Sequence, residues 1–394
     1  MPSLTSEIGE AEILAACELP AAGLYRSHES QNIGAVASCM VGAYRGDSLI
    51  ELGSRRSVAV LAVDGLGFHV AAAGLAPDVL TPLTTSFPST TTAALVSSLT
   101  GRTPSEHGVI GVQYLHPDGR RGYNCLTGEV TEPSSAGAVR ASADPAFQTA
   151  FMTLRDLGVP AFSLPGELAS LPASWRSRLL EGSRVLDDQA RNGTSAGGRG
   201  LREIMDAVTR DLTDVTDRYP DSLVWAYLNL DDHLHRRGPD RDIEWACRAL
   251  DSLARRLSRE GTAVLLYADH GCVASRPSAD TMSAWREVAA PRACRLPAGG
   301  AGRVRWLYPH AGGARRLADQ VRSRFPGAVV TSPTELSRWG LVEEGSIGHA
   351  RLGEVVMLAR GPDFPVPDPA MPYEHGSLTA QEILVPLAVW QPVR

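Results

Sequence analysis

Lysine is missing altogether from this 394-residue sequence, so all 38 basic residues are arginine. That excludes a lysine nucleophile or a Schiff base. Cysteine is sparse: its six positions, Cys17, Cys39, Cys125, Cys247, Cys272 and Cys294, form no Cys-x-x-Cys pair. A thiolate zinc site or a dithiol redox motif is thereby excluded, and the wide scatter predicts buried, reduced thiols in a cytoplasmic protein. Excess positive charge is absent too. With a formal net charge of -6, nothing marks a surface for a nucleic-acid polymer. Long apolar runs are also lacking. No stretch long enough to span a bilayer is free of charges and helix breakers, so no membrane partner is expected. The N-terminus lacks the basic start and apolar core of a secretory signal. What the composition does supply is 43% hydrophobic residues, enough for one large α/β domain or two.

Residues 1–55 read as an irregular arm with helical pieces over Glu10–Ala16 and Ile33–Ala43. Apolar, β-branched runs then alternate with helical patterns. Strands are expected at Val58–Val63, Val159–Leu164, Ser222–Asn229 and Ala263–Ala268, and helices at Thr90–Leu99, Gln148–Leu157, Arg199–Arg218 and Arg241–Arg259. Such alternation predicts an α/β fold, a mostly parallel central sheet sandwiched by helices. A second unit follows, with strands at Arg303–Leu307 and Ala328–Val330 and helices at Gly313–Arg324 and Pro333–Trp339, flanked by Gly- and Pro-rich sequence. The expected division is a metal-binding core, 1–273 and 346–394, with a small α+β cap inserted at 274–345. Residues 116–147 and 180–200, polar and rich in Gly and Ser, read as loops.

Against this frame stands a set of Asp and His residues that packing does not explain. Asp64 ends the apolar run from Ser57, Asp269 and His270 end a second run from Thr262, and Asp231 follows the strand at Ser222–Asn229. A parallel sheet gathers its strand C-termini along one edge, where ligands bind. A single Asp there more often caps the next helix. Three such residues, two with a His close behind, point to a site for divalent metals. Asp231 and His235 are four residues apart and share one face of a helical turn. His375 lies in a Gly-flanked loop, and His233 sits between two candidate ligands as a substrate contact or a solvated side chain. Ser89, Thr90, Thr91 and Thr92 precede a helical pattern and can cap it; a helix N-terminus also favours bound anions.

The order of these motifs resembles the alkaline phosphatase superfamily, and within it the nucleotide pyrophosphatase/phosphodiesterase branch that includes phosphonoacetate hydrolase. Its carriers are Asp64-Gly-Leu-Gly67, Phe87-Pro-Ser-Thr-Thr91, Thr100-Gly101 through His107-Gly108, Asp231-x-x-x-His235-x-x-Gly238-Pro239 and Asp269-His270-Gly271. The resemblance covers the chain from about Ser57 to His375. It implies an alkaline phosphatase-like fold and two Zn2+ ions in preference to Mn2+. One ion would be held by Asp231, His235 and His375, the other by Asp64, Asp269, His270 and Thr91. The register set by Thr100 and His107 makes Thr91 the nucleophile. A zinc-dependent phosphodiesterase or nucleotide pyrophosphatase acting on a small phosphorylated substrate, through a phospho-threonine, is the activity implied. Phosphonate C–P hydrolysis or phosphomonoester hydrolysis on the same metals is the alternative. A metal-bound, non-catalytic scaffold is a further one, disfavoured because clustered carboxylates repel one another without a cation.

The sequence departs from the branch where relatives carry an Asn that donates to a phosphoryl oxygen. Val112 stands there, followed by Gln113; Gln113, or the backbone N–H of Thr92 alone, is left for that task. His107 reads as structural. Tyr114, Tyr123, Trp306 and Tyr308 are candidates to stack on a leaving group, and Arg120, Arg121, Arg236 and Arg237 to bind a second phosphate; packing and solvation are the more common roles for such residues.

Overall fold

Ser57 to Asp64 is buried at every position, the signature of a strand covered on both faces. In the computed structural model, which describes residues 8–21, 23–53, 55–131, 139–140, 147–170, 177–186 and 200–393, this run is the middle of the central sheet. Along the chain the strands are β1 (Ser57–Asp64), β2 (Val79–Thr84), β3 (Gln113–Leu115), β4 (Gly122–Asn124), β5 (Glu129–Thr131), β6 (Val139–Arg140), β7 (Ala161–Leu164), β8 (Arg184–Val185), β9 (Leu223–Asn229), β10 (Thr262–Ala268), β11 (Val273–Ala274), β12 (Gly299–Ala301), β13 (Val304–Leu307), β14 (Ala328–Thr331), β15 (Val355–Ala359), β16 (Tyr373–Glu374) and β17 (Leu384–Trp390).

The central sheet has seven strands in the order β2-β17-β10-β1-β9-β7-β8. Strands β10, β1, β9, β7 and β8 run parallel, and β17 is antiparallel to both its neighbours. The expected α/β sandwich is therefore present. Helices cover the sheet because their apolar residues recur at helical spacing. In the helix Arg241–Arg259, Ile243, Ala246, Cys247, Leu250, Leu253, Ala254 and Leu257 are buried, one stripe facing the sheet. Asp240 starts that helix by accepting from the N–H groups of Asp242 and Ile243, a side-chain N-cap.

Strands β2 and β17 were not expected from the sequence, and proline is the reason. Pro82 and Pro386 interrupt their apolar runs, and proline argues against a central strand. The structure accommodates both. Pro82 and Pro386 face each other across the ladder; β2 is an edge strand, and the pairing of β17 with β10 spans only Leu387 to Trp390.

A second, eight-stranded sheet has the order β14-β15-β13-β12-β3-β4-β5-β6, antiparallel throughout. The loop reading of 116–147 is corrected here: β4 and β5 form a hairpin stack on β3 and join this sheet, although much of 132–146 lies outside the described residues. Short strands separated by turns carry little period-2 signal, so their polarity read as loop. Within 180–200, Arg184–Val185 is an edge strand and 187–199 lie outside the described residues. The two sheets are locked by a buried ion pair, Arg303 Nε to Glu382 Oε1 at 2.9 Å, and by the Arg303 N–H donating to the His375 carbonyl at 2.7 Å. All six cysteines are free thiols. Among the described residues no helix is long and apolar enough to cross a membrane.

Candidate metal centre

Strand register brings the acidic residues together. Val63 pairs with Ala268, so Asp269 follows beside Asp64, and Asp64 itself pairs with Asn229. Two residues past Asn229, Asp231 opens the short helix Asp231–Arg237. All three carboxylates thus stand at the carboxyl edge of the parallel strands, and all are buried. Gly65 makes the approach feasible. It turns at φ +78, and its N–H and that of His270 each donate to Asp269 Oδ1 at 3.0 Å.

The histidines complete the cluster. His235 Nε2 lies 2.9 Å from Asp231 Oδ2, as their four-residue spacing predicts, and His375 Nε2 lies 3.6 Å from the same oxygen. His270 Nε2 lies 3.3 Å from Asp64 Oδ1 and 3.6 Å from Asp269 Oδ2. The His270 and His375 rings stack with centroids 3.5 Å apart. Each imidazole spends its Nδ1–H on a backbone carbonyl: His235 on Tyr373 at 2.8 Å, His375 on Ser89 at 2.8 Å and His270 on Gly271 at 3.2 Å. A carbonyl can only accept, so Nδ1 carries the proton in the neutral ring and the Nε2 lone pair faces the carboxylates. Metal-ligating histidines are prepared in this way.

Thr91 is the first residue of the helix Thr91–Thr100, and no side chain caps that helix. The capping role considered for the hydroxyl cluster is therefore not taken up. Thr91 Oγ1 instead lies 3.1 Å from His270 Nε2 and 3.4 Å from Asp64 Oδ1. Its two rivals are buried elsewhere: Thr92 Oγ1 donates to the Gly111 carbonyl at 3.0 Å, and Thr90 Oγ1 lies 3.4 Å from Thr92 Oγ1. Ser89 Oγ ties this loop to the other side of the centre, donating to the Ser377 carbonyl at 2.6 Å and accepting from Gly376 N–H at 3.1 Å.

Negative charge is concentrated here and only partly compensated by the imidazoles. Burial, then the charges of Asp269 and Asp231, push the Asp64 carboxyl well above the usual carboxylate range. Burial would raise Asp231 as well, but the His375 charge and the His235 hydrogen bond hold it well below. Burial opposes protonation of His375, yet Asp231 and Glu374 bring it up to about 10; burial lowers His270. Asp231 Oδ1 and Asp269 Oδ2 are buried with no hydrogen-bond partner. Such orphaned oxygens cost free energy unless a cation takes them. The ligand atoms of Asp64, Asp269 and His270 lie within 4.8 Å of one another, as do those of Asp231, His270 and His375. Carboxylates and inward imidazole nitrogens in this number fit divalent metal ions.

Other candidates fall outside the centre. His233 Nε2 turns to Asp240, at 3.0 Å. His107 is buried, accepts from Val109 N–H at Nδ1 and meets Ser97 Oγ at 3.0 Å; burial lowers its pKa to about 3, so it is a neutral structural residue. Tyr114, Tyr123, Trp306 and Tyr308 are core side chains. Arg121 pairs with Asp118, and Arg236 with Asp232 at the surface. Gln113 is exposed on β3 opposite Asn124, and no contact brings its side chain to Thr91 among the described residues.

Two contributors were not anticipated. The Tyr227 hydroxyl donates to Asp64 Oδ2; both burial and the carboxylate raise its own pKa well above the ordinary value. Glu374 places Oε1 3.8 Å from both His235 Nδ1 and His375 Nε2. Tyr227 read as one more apolar strand residue, and Glu374 offered only its adjacency to His375 as a signal.

Known proteins share this architecture. The structure resembles phosphonoacetate hydrolase from Sinorhizobium meliloti 1021 in complex with phosphonoformate, with TM-score 0.60 and 14% identity over 99% of this chain and 94% of that one. It also resembles murine ectonucleotide pyrophosphatase/phosphodiesterase 5, with TM-score 0.57 and 14% identity over 85% of this chain and 88% of that one. An inactive variant of the murine protein, in complex with AMP, matches with TM-score 0.58 and 14% identity over 87% of this chain and 88% of that one. No curated protein matches the chain in sequence. The sequence profile of Type I phosphodiesterase / nucleotide pyrophosphatase matches residues 59–324, a span that holds Asp64, Thr91 and the Asp231 and Asp269 motifs, and the chain accordingly belongs to this family of hydrolases.

Proposed function

We propose that this chain is a zinc-dependent phosphodiesterase or nucleotide pyrophosphatase that hydrolyses a small phosphodiester or phosphoanhydride through a phospho-threonine at Thr91. The observation that carries the reading is the Thr91 hydroxyl, 3.1 Å from His270 Nε2 and 3.4 Å from Asp64 Oδ1, at the junction of the buried Asp/His groups. Asp231, His235 and His375 would hold one Zn2+, and Asp64, Asp269 and His270, with Thr91, the other. Bound zinc supplies the positive charge that makes a threonine hydroxyl a nucleophile and neutralises phosphoryl oxygens.

The chain's own residues do the rest. Thr91 Oγ1 attacks phosphorus, the ester or anhydride oxygen departs, and water then cleaves the phosphoryl group from Thr91. The first-turn N–H groups of the helix Thr91–Thr100 have no intrahelical acceptor and favour an anion; they supply the donors that Val112 cannot. The structural neighbours bound to AMP and to phosphonoformate support a small phosphorylated substrate here. We propose 1–273 and 346–394 as the core and 274–345 as a cap, with the hairpins β3–β6 and β15 joined to the cap's sheet and framing the leaving group. A cytoplasmic location is proposed on the free, mostly buried cysteines.

Metal analysis together with parallel assays of bis-p-nitrophenyl phosphate, p-nitrophenyl phosphate and phosphonoacetate tests the reading. The wild type is expected to carry stoichiometric zinc and to prefer the diester, and Thr91→Ala to keep its metal and lose turnover. Full diesterase activity in Thr91→Ala, or a protein without zinc, refutes it. Preference for phosphonoacetate or for the monoester selects the alternative chemistry on the same centre.

A further inference from the structure

One buried carboxylate outside the ligand sets holds the main chain of both buried histidine loops. Glu382 lies in the helical turn Ala380–Ile383 that leads into β17 and has no exposed surface. Its backbone carbonyl accepts the Gly271 N–H at 3.0 Å, one residue past His270. Its Oε1 accepts the Ser377 N–H at 2.9 Å, two residues past His375, and Arg303 Nε at 2.9 Å. Arg303 is 1% exposed, and its own N–H donates to the His375 carbonyl at 2.7 Å. The Thr91 loop is attached at the same place, because Ser89 Oγ donates to the Ser377 carbonyl at 2.6 Å. Glu382 thus joins the loops of one proposed metal position, of the other and of the nucleophile.

Glu382 is not itself a ligand. Its Oε2 accepts the Thr379 N–H at 3.3 Å and Thr379 Oγ1 at 2.6 Å, so protein donors take both carboxylate oxygens and neither metal position gains a donor from it. Arg303 balances its charge, so the pair adds no net charge to a centre already rich in carboxylates. Stability gives little reason for such a pair, since a buried ion pair is often replaceable by apolar groups of similar volume without loss. Rigidity does: charge-assisted hydrogen bonds are short and directional, and here they fix one loop against another. The turn also packs on the remaining ligand loops. A Cβ on Gly271 would lie 2.1 Å from the Gln381 carbonyl oxygen and 3.1 Å from Gly67 Cα, so the segments from Asp64 to Gly67 and from Asp269 to Gly271 rest against each other and against this turn. Two metal ions that share a phosphoryl group stand about 3.5–4 Å apart, and the distance between the His270 and His375 loops sets that spacing.

We infer that Glu382, braced by Arg303, is a positioning residue that sets the spacing between the two metal positions and thereby the contacts both ions make with a transferring phosphoryl group. The inference rests on the two-metal reading of the centre.

Manganese-loaded protein tests it, because the electron paramagnetic resonance spectrum of two Mn2+ ions depends on their separation. The wild type should bind two ions and give a spin-coupled spectrum. Glu382→Asp keeps the charge but shortens the arm by one carbon, and the double variant Arg303→Met/Glu382→Gln removes the pair without leaving a buried charge. Each should bind two ions, show an altered coupling, and turn over bis-p-nitrophenyl phosphate with kcat lowered roughly 10- to 100-fold at little-changed KM. Arg303→Lys, which keeps a cation on Glu382, should retain the wild-type coupling and most of kcat. The metal-stripped double variant should unfold near the wild-type urea concentration. Wild-type coupling and kcat in both Glu382 variants overturn the inference. So does a loss of turnover that only follows the fraction of unfolded protein, with coupling unchanged in the folded fraction, which marks a purely structural role. A wild type that binds fewer than two ions fails differently, because it removes the two-metal reading itself.

Discussion

Replacing Gly65 by alanine tests the geometry of the centre without replacing any proposed ligand. Gly65 sits at φ +78, where a residue with a Cβ pays about 1–2 kcal/mol of backbone strain. The added Cβ would lie 2.8 Å from Asp231 Oδ1 and 2.9 Å from Leu234 Cδ1. Neither contact is tolerable, and Leu234 is packed in the core, so Asp231 is the group that must shift. The Gly65 N–H also holds Asp269 Oδ1 at 3.0 Å, so one substitution disturbs carboxylates of both proposed metal positions. Gly46→Ala supplies the control: Gly46 is a helix C-cap at φ +80 with nothing within 4 Å of its would-be Cβ. In urea unfolding of the metal-stripped protein Gly46→Ala should lose about 1–2 kcal/mol, and Gly65→Ala that amount plus about 1–3 kcal/mol for its close contacts. Only Gly65→Ala should also lose turnover, by roughly 100-fold for a displacement approaching 1 Å, together with affinity for one ion. If Gly65→Ala matches Gly46→Ala in turnover and metal content, the convergence of Asp64, Asp231 and Asp269 on bound ions is wrong.

Two further outcomes follow from the same contacts. Tyr227→Phe deletes the hydroxyl that donates to Asp64 Oδ2; since an orienting partner of this kind typically accounts for roughly 10- to 100-fold in metal affinity, chelator titration should show that loss at one position, and unchanged affinity would reduce Tyr227 to a space-filling role. The metal-stripped protein should become less stable as pH rises. Burial works against the His375 cation, but Asp231 and Glu374 outweigh it and lift its pKa from 6.5 to about 10. A folded value above the unfolded one stabilises fully below pH 6.5 and is lost on the way up to 10, at about 1.4 kcal/mol per pH unit. His235 is raised and acts in the same sense, whereas the lowered His270 opposes only below its unfolded value of 6.5. Urea unfolding in a chelator between about pH 7 and 9 reads this slope, and stability that is flat or rises with pH contradicts the assignment.

How much of this was legible without coordinates depended on whether a residue's partner lay nearby in sequence or across the sheet. Asp64 and Asp269 could be found because each ends an unbroken apolar run, and parallel strands deliver their ends to one edge. Asp231 and His235 could be paired because four residues make one helical turn. Thr91 could be separated from Thr90 and Thr92 only through the family register; the structure separates them physically, by burying its neighbours and leaving its hydroxyl beside His270. Tyr227 and Glu374 carry no such mark. Tyr227 reaches Asp64 because β9 lies beside β1 in a particular register, and Glu374 reaches His235 because β16 folds back on β11. Neither register is written in a local pattern. The same holds for β2 and β17, whose prolines look disqualifying until their positions at a sheet edge and beyond the β10 ladder are known. The ligands of a metal centre are therefore easier to read than the groups that orient them. Ligands need particular side chains at strand ends, whereas orienting groups need only proximity: here the Nδ1 protons of His235, His270 and His375 all go to main-chain carbonyls, acceptors that every residue type provides.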